Sequence, residues 1–143
     1  MDRKDQHARD IYQRLLDEIG EAVIIYDKDR YTESFLLPHN LQTIDKSFDI
    51  QTVLELEIFF DRMVERLKKF DITELTRWCT AAEFVDVKTI RGCHETRLIN
   101  RNLVIVEDYI GLSTLTLVDG MWKVSSSQYV EPNPSTPTLV TGS

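Results

Sequence analysis

The sequence predicts an α+β fold, a mainly antiparallel sheet with helices against one face. Three observations predict it. Apolar stripes at helical spacing fill the first half of the chain and stop near Asp71. From Glu74 onward, runs rich in Thr, Val, Ile and aromatics alternate with short turn signals. Finally, Ser113 to Tyr129 places two alternating runs around Asp119-Gly120. A two-residue I′ turn needs φ > 0 at both central positions, which Asp and Gly tolerate best. Leu115, Leu117, Trp122 and Val124 then share one apolar face of a hairpin. Helices first and hairpin-linked strands afterwards is the α+β pattern.

Taking the elements in order, Ala8, Ile11, Tyr12, Leu15, Leu16, Ile19, Ala22, Val23 and Tyr26 step by three and four along one helical face. The stripe keeps phase through Gly20, so one long helix is expected although Gly costs about 1 kcal/mol there relative to Ala. Asp27 or Asp29 caps a short second helix carrying Tyr31 and Phe35, ended by Pro38. Leu36 to Ile44 reads as extended, and its proline suits an edge strand or a bulge. Asp45-Lys46 reads as a turn. Thr52 with Glu55 has capping-box spacing, opening a third helix whose buried side carries Leu56, Phe59, Phe60, Met63, Leu67 and Phe70. Its charges read as the solvated side. Strands follow at Glu74–Val87, Thr89–Ile99 and Leu103–Ser113, with turns at Asp86–Lys88 and Asn100–Asn102. Gly92 and Gly111 read as bends that help the sheet curve.

Length and composition bound the function. The 143 residues suit one core, here a single domain over 1–131 with a loose Pro/Ser/Thr-rich tail over 132–143. A net charge of −7 argues against nucleic acid or an anionic membrane as partner. Cys79 and Cys93 make no disulfide framework, although a turn near Asp86 to Lys88 would bring their strands together. No apolar stretch resembles a leader or a membrane span, so a cytoplasmic protein is expected.

Leu37-Pro38-His39 with Thr43, Ala82-Glu83-Phe84, His94-Glu95-Thr96-Arg97-Leu98 and Asp119-Gly120-Met121-Trp122-Lys123-Val124, in this order of elements, resemble the nuclear transport factor 2-like superfamily. The likeness spans roughly residues 5–131 and lies nearest to bacterial SnoaL-like proteins of unassigned role. It implies a cone-shaped α+β barrel: a strongly curved, mainly antiparallel sheet wrapped around three N-terminal helices, with a pocket at the open end. It also implies a homodimer formed through the sheet. Superfamily enzymes move protons inside apolar pockets, using a carboxylate or His poised by its surroundings. The steroid-isomerase pattern, a tyrosine and two aspartates, falls at Ile19, Thr43 and Thr114 and is not met. The fold alone specifies no reaction.

The candidate site is a mostly apolar pocket fringed by His39, Thr43 and His94, with Tyr12 and Trp122 in its wall. His39 follows Pro38 where the superfamily's pocket opens. It could serve as a base or ligand contact, or simply tie down a strand end. His94 shares a strand face with Gly92, Thr96 and Leu98 and is expected to point inward, either as a reactive group or as a satisfied core histidine. Two histidines without a carboxylate make a poor metal site, so no metal or cofactor is expected. His7 is given no role. Arg97 is expected to pair with Glu83 across strands or between copies. Three function classes remain: a binding domain for a small apolar ligand, a small lyase, isomerase or hydrolase using His39 or His94, and an interaction module working through its sheet.

Overall fold

The computed structural model describes residues 3–43 and 45–132, with the last three as backbone only. Three helices, α1 (Arg3–Ile24), α2 (Lys28–Glu33) and α3 (Val53–Lys69), accompany six strands. These are β1 (Phe35–Gln42), β2 (Ser47–Ile50), β3 (Ile72–Asp86), β4 (Thr89–Asn100), β5 (Ile105–Val118) and β6 (Met121–Pro132). They form one open sheet in the order β2-β1-β6-β5-β4-β3. Every pairing is antiparallel except β1 with β6. The sheet curves around the helices, aided by register breaks in β3 at Ile72/Glu74, Cys79/Ala81 and Phe84/Asp86.

Along β4 the burial alternates strictly, with Ile90, Gly92, His94, Thr96 and Leu98 buried and turned towards the helices. That inner face meets Tyr12, Leu16 and Ile19 of α1 and Leu56, Phe60 and Leu67 of α3 in one core. Gly20 lies inside α1, as its unbroken stripe predicts. A Cβ there would sit 3.2 Å from Leu75 Cδ2, so the missing side chain lets α1 lie close on β3. The closing hairpin matches its turn chemistry: Asp119 has φ 50° and Gly120 φ 80°, and Val118 pairs with Met121. Thr52 caps α3, its hydroxyl accepting from Glu55 N at 3.2 Å. The Glu55 carboxylate reaches back to Gln51 N rather than to the cap residue.

Several elements differ from the sequence reading. α1 stops at Ile24, two residues short of Tyr26, because Tyr26 adopts φ 62° and is exposed. The bonds Asp27 N to Ala22 O and Tyr26 N to Val23 O close a Schellman-type cap there. Pro38 does not end α2. That helix stops at Glu33, and Pro38 lies in β1 within the register break against β6, between Phe35 and Asn40. β1 is therefore not an edge strand. The edge on that side is β2, a short strand that the sequence reading lacks, and the bulge that the proline also suited is the one observed. Ile44, which ends the extended run read from sequence, and all the tail beyond Pro132 lie outside the described residues.

The two cysteines do not face each other. The bulge between Cys79 and Ala81 pairs Cys79 with His94 and Cys93 with Ala81, and both thiols are free. Partnered residues share a face, so Cys79 turns inward with His94 and Cys93 outward. Nor do Arg97 and Glu83 pair across strands within the chain. Glu83 stands opposite Arg91 in the register and bonds it at 3.3 Å. Arg97 approaches Asp108, its partner on β5, at 3.7 Å and lies over the Trp78 ring.

Candidate functional site

A cavity of about 190 Å³ opens at the wide end of the sheet, between α3 and the inner face of β1, β2, β5 and β6. Phe35 and Leu41 on β1, Phe48 and Ile50 on β2, Phe59 and Met63 on α3 supply much of its apolar wall. These residues meet there because the inward positions of the strands and the i, i+4 row of α3 face one another. The Phe48 and Phe59 rings pack edge to face, 5.6 Å between centroids, joining β2 to α3. Among the described residues no carboxylate lines the cavity, whereas Lys46, Arg62 and Arg66 do.

The polar groups of the wall are sparse: the hydroxyls of Tyr31, Tyr109, Tyr129 and Ser127, and the His39 ring. His39 is only 2% exposed, and its Nδ1 has no hydrogen-bond partner among the described residues. Burial lowers its pKa from the ordinary 6.5, against a weaker opposing effect of a hydrogen bond to the Val124 backbone. The ring is neutral at pH 7. Burial also raises the phenol pKa values of Tyr31, Tyr109 and Tyr129, so all three remain protonated donors.

His94 occupies a separate, sealed place. Its Nδ1 lies 2.6 Å from the Tyr12 hydroxyl, and its Nε2 lies 3.4 Å from Arg77 Nη2. A guanidinium only donates, so Nε2 accepts and the ring proton sits on Nδ1, donated to the Tyr12 oxygen. Burial first, and the Arg77 charge second, lower the His94 pKa to about 3. Arg77 Nε also reaches the Thr96 hydroxyl at 3.3 Å. The Thr96 hydroxyl is a polar neighbour of Tyr109, whose ring packs edge to face on that of Tyr129. A buried polar line thus runs from α1 to the cavity wall, with Ser113 joined to Tyr12 at its inner end. Glu107, fully buried beside this line, acts with Arg77 on the two tyrosines.

Two glycines make room for these rings. A Cβ on Gly111 would stand 2.6 Å from His94 Nε2, and one on Gly92 would collide with the Tyr12 ring. Read from sequence as bends, they serve as clearances on the inner face.

Of the five residues placed at the pocket by sequence, only His39 lines the cavity. Tyr12 and His94 pair with each other behind it. Trp122 lies at the hairpin end, its ring against Phe84. Thr43 sits past the end of β1, bonded to Lys46 O at 2.9 Å through its N–H. Periodicity along a helix or a strand gives the face of a side chain but not its depth along the sheet. Ile19 is core, and Thr114 falls on the outer face, out of phase with Ser113 and Leu115. Sequence reasoning missed Tyr31, Tyr129, Arg77 and the basic rim. Tyr129 carried a usable signal, since strand alternation pairs it with inward Gly111. Arg62 and Arg66 carried another, being interleaved with Phe59 and Met63 on one side of α3.

Among the described residues, no group of three His, Cys, Asp or Glu is placed to hold a metal ion. No helix is long and apolar enough to cross a membrane.

No protein-family model and no curated protein matches the chain. Solved structures do. A protein of unknown function with a cystatin-like fold from Nostoc punctiforme superimposes with a TM-score of 0.68 at 18% identity, covering 87% of this chain and 90% of its own. A nuclear transport factor 2-like protein of unknown function from Shewanella oneidensis gives a TM-score of 0.62 at 14% identity, covering 82% and 94%. A ketosteroid isomerase-like protein from Erwinia carotovora atroseptica gives 0.63 at 11% identity, covering 87% and 97%. With the open, helix-filled sheet described above, these likenesses show that the chain has the nuclear transport factor 2-like, cystatin-like α+β fold.

Proposed function

We propose that this protein binds a small, mainly apolar molecule in the wide-end cavity. The observation that carries the reading is the cavity wall: aromatic and aliphatic side chains with a few neutral polar groups, the usual make-up of a ligand site. Its size bounds the occupant. A cavity of about 150 Å³ accommodates benzene, and sites for drug-sized molecules run to about 300–1,000 Å³. At about 190 Å³ the cavity suits a one- or two-ring body and is short of a steroid skeleton. Catalysis by His94 is not favoured, because Tyr12 and Arg77 already occupy both ring nitrogens. His39 is the better-placed histidine, yet among the described residues no opposed carboxylate lines the cavity with it.

The test is a fluorescence titration with 2-naphthylmethanol, a neutral two-ring probe. Saturable one-to-one binding is expected, weakened at least tenfold by Met63→Trp, which fills the cavity from its half-buried wall. Non-saturating binding, or equal binding by the variant, would sink the reading.

A homodimer through the outer sheet face is a further part of the proposal. That face carries Trp78 and Leu112, both half-buried, and Ile110 at 40% exposure. Light scattering at micromolar concentration showing only monomer would remove it.

A further inference from the structure

We infer that the cavity is built for an amphipathic anion, an apolar ring or short chain ending in a carboxylate, with the charged end held at the mouth by Lys46 and Arg62. The inference rests on the ligand-binding reading above and adds a charge requirement to it. The chain carries a net charge of −7, so a cluster of cations with no carboxylate among its described neighbours is not what its composition would scatter at random. Yet the charged groups lining the cavity are Lys46, Arg62 and Arg66, all positive.

These cations belong to the mouth by their place in the fold. Lys46 immediately precedes β2, the edge strand, and Arg62 and Arg66 stand one turn apart on α3. Between them Phe48, Phe59 and Met63 close the apolar wall. Lys46 and Arg62 are exposed, and neither forms an ion pair with a carboxylate among the described residues. Several basic groups elsewhere on the surface are paired, Lys28 with Asp61, Arg30 with Glu18, Arg91 with Glu83 and Arg101 with Asp71. A cation beside a low-dielectric wall attracts an anion more strongly than one in open water. A guanidinium also presents paired donors that match a carboxylate.

The deep end fits the other part of such a molecule. It offers no charge, only phenol and Ser127 hydroxyls and the neutral His39 ring with its free Nδ1. An anion placed there would lose its solvation with no described cation lining that end to replace it, since Arg77 lies behind the wall, turned to His94 and Thr96. The polarity of the cavity therefore sets the direction of entry: apolar body first, carboxylate at the mouth.

The experiment compares 2-naphthoate, 2-naphthylmethanol and 2-naphthylmethylammonium, three probes with one apolar body and different heads, by calorimetry at low salt. Naphthoate is expected to bind at least tenfold more tightly than the alcohol, and the ammonium more weakly than either. The advantage over the alcohol should shrink as sodium chloride is raised through 0.5 M. In Lys46→Gln/Arg62→Gln it should fall below threefold, a ratio taken within one variant so that any change in the cavity itself cancels. Equal binding of acid and alcohol by the unaltered protein would overturn the charge requirement while leaving apolar binding intact. Binding of none of the three would overturn both.

Discussion

The Tyr12 hydroxyl on α1 lies 2.6 Å from Nδ1 of His94 on β4, and 82 residues of chain separate them. This bond pins the long helix to the centre of the sheet. Both side chains are about 1% exposed, so each depends on the other for a partner that water cannot supply.

Removing one member therefore costs more than the bond itself. Tyr12→Phe leaves His94 Nδ1 buried without its partner, and we expect a loss of about 1–3 kcal/mol. Urea denaturation against the unaltered protein measures it. A change below about 0.5 kcal/mol, the usual size for an exposed site, would show that the pair holds little.

The same histidine makes stability depend on pH in a definite direction. Its pKa is about 3 in the folded protein and 6.5 by default when unfolded. Between these values the unfolded chain binds a proton that the folded chain refuses. The contribution is thus complete above pH 6.5 and drains away as pH falls towards 3, by about 1.4 kcal/mol per pH unit. His39, lowered for the same reason of burial, acts in the same direction. Denaturation series at pH 7, 6, 5 and 4 should show this slope, and His94→Gln should flatten it.

Gly111→Ala tests the clearance around the ring. Its Cβ would enter 2.6 Å from His94 Nε2, in a place where both strands are fixed by their register. Overpacking of this kind costs about 1–3 kcal/mol. The His94 ring resonances should shift as well. An unchanged thermal midpoint and unchanged ring signals would contradict the packing described.

At the other end of β5 the demand is conformational. Gly120 has φ 80° and nothing near its Cβ position, so Gly120→Ala strains the backbone without any clash. A left-handed residue with a Cβ costs about 1–2 kcal/mol. Gly120→Asn, which tolerates that region, should recover most of it in the same denaturation assay.

Much of the architecture was legible because its signals are local. Gly20 within an unbroken stripe, Thr52 three residues before Glu55, and Asp119-Gly120 between alternating runs each constrain only their immediate neighbours. β2 escaped because four residues beside a turn carry too little period to register, and Pro38 left edge strand and bulge both open until the break in pairing with β6 decided for the bulge. The paired charges followed the same rule: Glu83 met Arg91 and not Arg97 because cross-strand partners are set by bulges that no single strand displays.

By itself, the sequence determined the α+β class, the order of the helices and of every strand but β2, and which face of β4 turns inward. Periodicity and turn chemistry act over a few residues, so they survive in one dimension. Tertiary structure alone decided that His39 reaches the cavity while His94 is locked behind Tyr12 and Arg77, and that Lys46 and Arg62 line one cavity. Depth within a curved sheet is a sum over bulges, twists and helix placements, and no residue carries that sum in its own neighbourhood.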